Sequence, residues 1–461
     1  MSKQAVKKQN IEIGMDFTTG PLLPLLIRFL LPFLLANLLN SLYNTVDTAI
    51  IGRFMGGSTG IVACSLGGKM LNLFTNISVA LAGGGQILVS QIVGAKRRDE
   101  LNSCIGTMFS ETIILSILFA IVTLLFSRNI IEWLNTPPEA FDDALIYLRI
   151  TCIGLPLIFG YTAVSSVLRG MGDSRNPLIF IAIATVINII GDLVFILVFK
   201  MGVAGAAVAT VLGQGLSLVC SVVILYRRRE YFGFDFKLKS FAIDWSKLQI
   251  ILKLGLPNAL RATCITGTQL VLMGYINKFG VVDSAAYSIG DKVYHMANIL
   301  ASSINNAGGT VVGQNFAAGN HERVRGIVRR VAVITLSASV FLSVFSLLFP
   351  TQIFGLFTDD PAVLAYAPAF MRVCCLIYVL SSFHASYQSV MSGTGNSFLN
   401  MIAGILDGMV LRVGMSFLFA YQFNLGVVGF FLADALARFA PITIGGIYYY
   451  SGAWKKRKKL V

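Results

Sequence analysis

LLPLLIRFLLPFLLANLLNSLYN (residues 22–44) and NPLIFIAIATVINIIGDLVFILVF (residues 176–199) decide the fold. Each holds an apolar run close to the ~20 residues with which an α-helix crosses a bilayer. An open sheet leaves backbone N–H and C=O groups unpaired in lipid, and the alternating pattern of barrel strands is absent, so both runs read as helices. The rest of the chain agrees. Of its 461 residues 56% are hydrophobic and 13% charged, about half the charged share of a soluble domain. Met1–Asn10 is basic, but the apolar stretch after it is too long for the h-region of a signal peptide and shows no small-residue cleavage site. The first helix is therefore expected to be retained.

Working outward from these two runs, the sequence predicts an all-α integral membrane protein of twelve spans. They fall near 25–50, 59–92, 104–126, 145–168, 177–199, 203–226, 248–276, 284–314, 327–349, 366–391, 399–421 and 427–450. The second and eighth are long and glycine-rich at one end, which predicts that their inner ends bend or unwind. Seven cysteines (Cys64, Cys104, Cys152, Cys220, Cys264, Cys374 and Cys375) lie in apolar stretches without metal-ligand spacing, and read as packing residues. The basic residues sort by side. Lys3, Lys7 and Lys8, Lys96 to Arg98, Arg227 to Arg229, Arg323 to Arg330 and Lys455 to Lys459 fall at the termini and in even-numbered loops. Odd-numbered loops carry only scattered charges such as Arg53, Arg128, Lys200 and Lys278. The positive-inside rule then places both termini in the cytoplasm, with the protein in the plasma membrane. The net charge of +14 belongs to that inner face, not to a compact surface for nucleic acid.

The two halves of the chain repeat at a nearly fixed offset. Leu31-Pro32 matches Leu256-Pro257, and Ser65-Leu-Gly67-Gly-Lys69 matches Ser288-Ile-Gly290-Asp-Lys292. Val89-Ser-Gln91 matches Val312-Gly-Gln314, Gly170-Met-Gly172 matches Gly393-Thr-Gly395, and Gly202-Val-Ala-Gly205 matches Gly426-Val-Val-Gly429. Six helices per half is an even number, so the halves share one orientation, as a parallel repeat around a central cleft. The expected division is an N-terminal bundle over 1–226, a cytoplasmic linker over 227–247 and a C-terminal bundle over 248–461.

The chain resembles the multidrug and toxic compound extrusion (MATE) family over nearly its whole length. The resemblance rests on Leu42-Tyr-Asn-Thr-Val-Asp47-Thr-Ala-Ile-Ile-Gly52, Gly83-Gly-Gly-Gln-Ile-Leu-Val-Ser-Gln91-Ile-Val-Gly94 and Leu168-Arg-Gly170-Met-Gly172-Asp, in that order. It implies a secondary active antiporter that exports amphipathic small molecules, such as drugs, toxins or metabolites, in exchange for inward Na⁺ or H⁺.

Ionisable residues inside a span are costly and stand as functional candidates. Asp47 lies late in the first span, Asn188 and Asp192 one turn apart in the fifth, and Thr210 early in the sixth. By helix rise all four sit roughly 8–18 Å below the outer helix ends. Two carboxylates, an amide and a hydroxyl form a hard-oxygen set suited to Na⁺, or a coupled pair that holds one proton. The resemblance implies the same: the DinF-like branch forms a cation site from an Asp in helix 1, an Asn and Asp four apart in helix 5, and a Thr in helix 6. The plainer reading is that Asp47 pairs with Lys69. The NorM-like branch carries a Glu in helix 7, which the stretch from Arg261 to Thr268 lacks. In the C-terminal half Arg412 and Asp434 lie at similar depth and read as an ion pair. Lys69, Lys292, Arg261 and Arg372 are either cleft cations or paired with acids, Arg261 with Asp291 for example. His295 and His384 read as buried, hydrogen-bonded histidines.

A flippase for a lipid-linked saccharide or other amphiphile is the alternative transport reading. A membrane enzyme would need a catalytic constellation and a channel a repeated filter, and neither appears. No P-loop is present, so ATP is not the direct energy source. No cofactor is expected beyond the coupling ion. The expected partners are a small-molecule substrate and membrane lipids, with the monomer as the working unit.

Overall fold

A computed structural model describes residues 14–54, 58–134 and 136–461, with the side chains of 44–45, 47–49, 52–54, 58–62 and 65 left out. Lys3, Lys7 and Lys8 and the side chains of Asp47, Arg53 and Ser65 therefore lie outside the described residues. Those described are helical, with no strand among them. In chain order the N-terminal half holds α1 (Leu22–Phe54), α2 (Ser58–Gly94), α3 (Leu101–Leu125), a bent α4 (Pro138–Ile153 and Leu155–Gly170), α5 (Arg175–Val198) and α6 (Val203–Arg227). The C-terminal half holds α7 (Trp245–Ile276), α8 (Val281–Ala317), α9 (His321–Leu348), α10 (Ala367–Gly393), α11 (Ser397–Gln422) and α12 (Gly426–Tyr450). Nine of the described helices are long and apolar enough to cross a membrane, or ten if the two segments of α4 count as one span. The remaining two, α7 and α8, are 32 and 37 residues long but carry more polar side chains.

Lipid explains the exposed faces. Ile113, Ile114, Ile117, Leu118 and Ile121 on α3, and Val340, Phe341, Val344 and Phe345 on α9, are exposed large apolar residues in continuous stripes. In water such stripes would cost free energy; against acyl chains they cost none. The polar and small side chains turn inward, where α1 and α5 pack together in one half and α7 and α11 in the other.

The glycine-rich inner ends of α2 and α8 do not unwind, contrary to the expectation from composition. Both helices run unbroken to Gly94 and Ala317. Their glycines serve close approach instead. A Cβ on Gly84 would stand 2.8 Å from the Ile251 carbonyl oxygen, and one on Gly94 would overlap the Gln314 backbone. The break falls in α4, bent by 48° between Ile153 and Leu155, just before Pro156. Pro156 has no N–H to donate back, which removes a helical hydrogen bond at that turn.

Left-handed backbone positions recur between the halves. Lys96 and Gly319 (φ 61° and 79°), Gly172 and Gly395 (86° and 75°), Lys200 and Asn424 (53° and 54°) and Gly202 and Gly426 (58° and 54°) pair at offsets of 223 or 224 residues. The segment after α6 is docked onto α3. Ser110 Oγ donates to the Phe241 carbonyl at 2.5 Å, the Asp244 N–H donates to Thr107 Oγ1 at 3.0 Å, and Lys247 pairs with Glu100.

The halves meet through α1 against α8 and α2 against α7 and α8. Both terminal segments lie at the same end of the molecule, Phe17 against Gln314 and Leu460 against Gln91.

Candidate cation-coupling site

Small residues bring α5 and α6 into backbone proximity. A Cβ on Gly213 would lie 2.9 Å from the Ala184 carbonyl oxygen, and one on Gly191 would lie 3.0 Å from Ala209 Cβ. At that separation the α5 face carrying Asn188 and Asp192, one turn apart, looks directly onto Thr210. All three are enclosed, at 1%, 0% and 5% exposure. With its amide turned to satisfy both ends, Asn188 donates to Asp192 Oδ2 at 3.2 Å and accepts from the Thr210 N–H at 3.2 Å. Tyr43 reaches across from α1, its hydroxyl donating to Thr210 Oγ1 at 3.2 Å.

Tyr43 was absent from the sequence reading, yet the signal was there: it precedes Asp47 by one helical turn. Asp47 therefore occupies the next turn of the same face of α1; its side chain lies outside the described residues. The structure thus brings Asn188, Asp192 and Thr210 together. Immediately after Asp192, α5 changes to a π-helical turn over Leu193–Val198, a departure that often marks functional sites. A carboxylate, an amide and a hydroxyl in a dry pocket match the preferences of a hard cation, and equally of a shared proton. Depth agrees: Asp192 and Thr210 are roughly 9–11 Å from the nearer ends of their helices by helix rise.

The C-terminal half holds a different cluster at the corresponding place. Arg412 Nη1 lies 2.5 Å from Asp434 Oδ1, and its Nη2 lies 3.5 Å from Asp407 Oδ1. Arg438 Nη2 is 3.7 Å from Asp434 Oδ2 and also bonds the Tyr294 hydroxyl. These side chains are 5–9% exposed. Two guanidinium groups and two carboxylates balance, so the cluster neutralises itself. Leu272, at the repeat position of Asp47, is buried and uncharged, and the counterpart of Asp192, Met415 or Ser416, is uncharged too.

Arg261 does not pair with Asp291, as one reading had it. Its aliphatic stem lies over Gly404, and it makes no ion pair within 4.0 Å among the described residues. Asp291 instead faces His295, 3.6 Å away, and His295 is exposed, not buried as expected. His384 is partly buried. Lys69, Lys292 and Arg372 are exposed, Lys292 standing 5.8 Å over the Phe357 ring. Glu111, on the buried face of α3, was missed altogether. It is 7% exposed, and its Oε1 has no hydrogen-bond partner among the described residues. No cluster of three or more His, Cys, Asp or Glu side chains suited to a metal occurs among the described residues.

Comparison with known proteins adds a family match, two relatives and two solved structures. The MatE family model matches twice, at residues 32–194 and 257–421. The chain is 27% identical to the probable multidrug resistance protein YpnP of Bacillus subtilis, over 96% of this chain and 98% of that one. It is 26% identical to the probable multidrug resistance protein NorM of Thermotoga maritima, over 90% and 89%. Among solved structures, a MATE transporter in its straight conformation superposes with a TM-score of 0.88 at 20% identity, covering 95% of this chain and 98% of that one. A MOP superfamily transporter from Pyrococcus furiosus, described as having a binding pocket of reversed polarity, gives the same TM-score at 20% identity, over 96% and 98%. These likenesses extend over the fold.

Proposed function

The chain belongs to the MatE family, and from that premise we propose that it is a secondary active antiporter, exporting amphipathic small molecules in exchange for inward Na⁺ or H⁺. Its family makes it a multi-pass membrane transporter and not an enzyme. The observation that carries the reading is the enclosed oxygen cluster of Asn188, Asp192 and Thr210, joined by Tyr43 from the helix that bears Asp47. The coupling ion is cargo here. Asp192 with Asn188 and Thr210 supplies its oxygen ligands, and Asp47 supplies the second carboxylate. Two carboxylates in a dry site do not both stay ionised cheaply, so the pair holds either a cation or a proton.

The finer architecture follows the same premise. The ten spans by composition, with α7 and α8 added, make twelve, in two parallel six-helix bundles over 1–226 and 248–461 joined by a linker over 227–247. The paired left-handed residues and the double family match at 32–194 and 257–421 support this division. We place both termini in the cytoplasm of a plasma-membrane protein, because the basic loops share their side. Hydrogen bonds that join the bundles near that side include Gln91 to Gly393 and Gln314 to Gly170. The polar set of the N-terminal half, and the missing Glu in α7, favour the DinF-like pattern over the NorM-like one. The monomer carries the whole cycle, with no cofactor beyond the ion.

Purified protein in liposomes, given an imposed Na⁺ or pH gradient and a panel of cationic, neutral and anionic dyes, tests this. Dye movement should depend on one of the two gradients. Movement of a fluorescent lipid-linked saccharide without dye transport would favour the flippase reading instead.

A further inference from the structure

Two glutamines at the end of the molecule that bears both termini make four hydrogen bonds, each of which crosses from one half of the chain to the other. Gln91, on α2, donates from Nε2 to the Gly393 carbonyl at 2.9 Å and accepts at Oε1 from the Leu460 N–H at 3.0 Å. Gln314, on α8, donates from Nε2 to the Gly170 carbonyl at 3.4 Å and accepts at Oε1 from the Phe17 N–H at 3.1 Å. The arrangement is reciprocal, since Gln314 follows Gln91 by 223 residues and Gly393 follows Gly170 by 223. Both glutamines are fully buried. The tails are exchanged as well: Phe17 packs into the core of the C-terminal half, and Leu460 packs against that of the N-terminal half.

A buried amide that loses its partners keeps the cost of desolvation without return. Hence these four bonds are well matched only while the two halves touch at this end. We propose that Gln91 and Gln314 form a clasp, strapped by the two terminal segments, that holds this face shut and sets the balance between the two access states of transport. They are positioning residues, since neither touches the ion site. When the halves part here, all four bonds break together and each glutamine becomes exposed to water, which compensates it. Closure restores them. The C-terminal strap is fixed by Arg457, which donates to the Thr394 and Gly395 carbonyls, and by Lys459, which donates to the Ala317 carbonyl. It is thus tied to α8 and α10 while it reaches over to Gln91.

This inference rests on alternating access between two bundles. Its test uses spin labels introduced as a non-natural amino acid at Asp99 and Glu322, exposed positions on this face 223 residues apart. Distances between them are measured in the full-length protein in nanodiscs. Gln91→Met and Gln314→Met keep side-chain length and remove the hydrogen bonds. Each should raise the open-to-closed ratio at this face about tenfold, or about 1.4 kcal/mol. The double variant should raise it further, and deletion of residues 457–461 should shift it in the same direction with both glutamines intact. Melting temperature is read in parallel, because a packing role alone would lower it without moving the distances. Unchanged distances in the double variant and in the deletion would overturn the clasp. Shifted distances in a protein that transports none of the dyes would leave the clasp standing and overturn the exporter reading.

Discussion

Asp192, Asn188 and Thr210 were readable because an acid and an amide four apart stand out in an otherwise apolar run, and because helix rise fixes their depth. Tyr43 carried a signal, its place one turn before Asp47, but a tyrosine late in a span is ordinarily an interfacial anchor, so that signal was passed over. The C-terminal cluster was half legible. Arg412 and Asp434 share a depth, but the link from Arg412 to Asp407 depends on a π-helical stretch over Leu406–Leu411 that no pattern in the sequence announces. Its i→i+5 spacing sets residues five apart on one face, which is how Asp407 reaches Arg412. Two residue-level outcomes follow. Thr210→Ala removes one neutral ligand and leaves the carboxylates, so transport assays should show weakened ion affinity with export retained, whereas Asp192→Asn should abolish gradient-driven export. Asp434→Asn takes the nearer carboxylate from buried Arg412 and leaves it only Asp407 at 3.5 Å, so the loss should fall below the about 3–5 kcal/mol of a buried pair that loses its one partner. Thermal unfolding of the purified variants measures it, and replacing Arg412 by Met as well should restore part of the loss.

At the scale of elements, helix positions were legible to within a few residues because apolar runs in lipid have a length set by the bilayer. The fourth span was expected at 145–168, yet α4 starts at Pro138, since its first turns are polar and sit at the helix end. The unwinding expected in α2 and α8 failed for an identifiable reason: glycine lowers helix propensity, but here each missing Cβ admits a neighbouring helix. The polar linker reads from the sequence as a simple connection, whereas in the structure it is seated on α3. Gly106 makes that seating possible, because a Cβ there would overlap the Ser240 carbonyl oxygen. Gly106→Ala should therefore lift the linker from α3. Limited proteolysis should cut within 233–244 faster than in the parent protein, with the remaining helices still protected; an unchanged rate would show that the linker is held elsewhere.

For the whole molecule, the repeat was legible as five short pairs in order, and the structure carries the same offset in its left-handed residues and in the reciprocal bonds of Gln91 and Gln314. The exchange of the terminal segments was not legible, because Phe17 and Leu460 lie in stretches with no periodicity to read. The division of labour between the halves is the central claim: the N-terminal half binds the coupling ion, while the C-terminal half holds a self-neutralised cluster. Binding changes the balance of access states only through different affinity in each, so the ion site must lose its carboxylates for coupling to fail while the fold survives. The most direct measurement is gradient-driven dye export in proteoliposomes by the Asp47→Asn, Asp192→Asn double variant, beside the parent protein at matched folded yield. The account predicts that neither a Na⁺ nor a pH gradient drives export by the double variant. Export at the parent rate under either gradient would contradict it, and would move the search for the coupling carboxylate to Glu111 in α3 and to Asp291 and Asp407 in the C-terminal half.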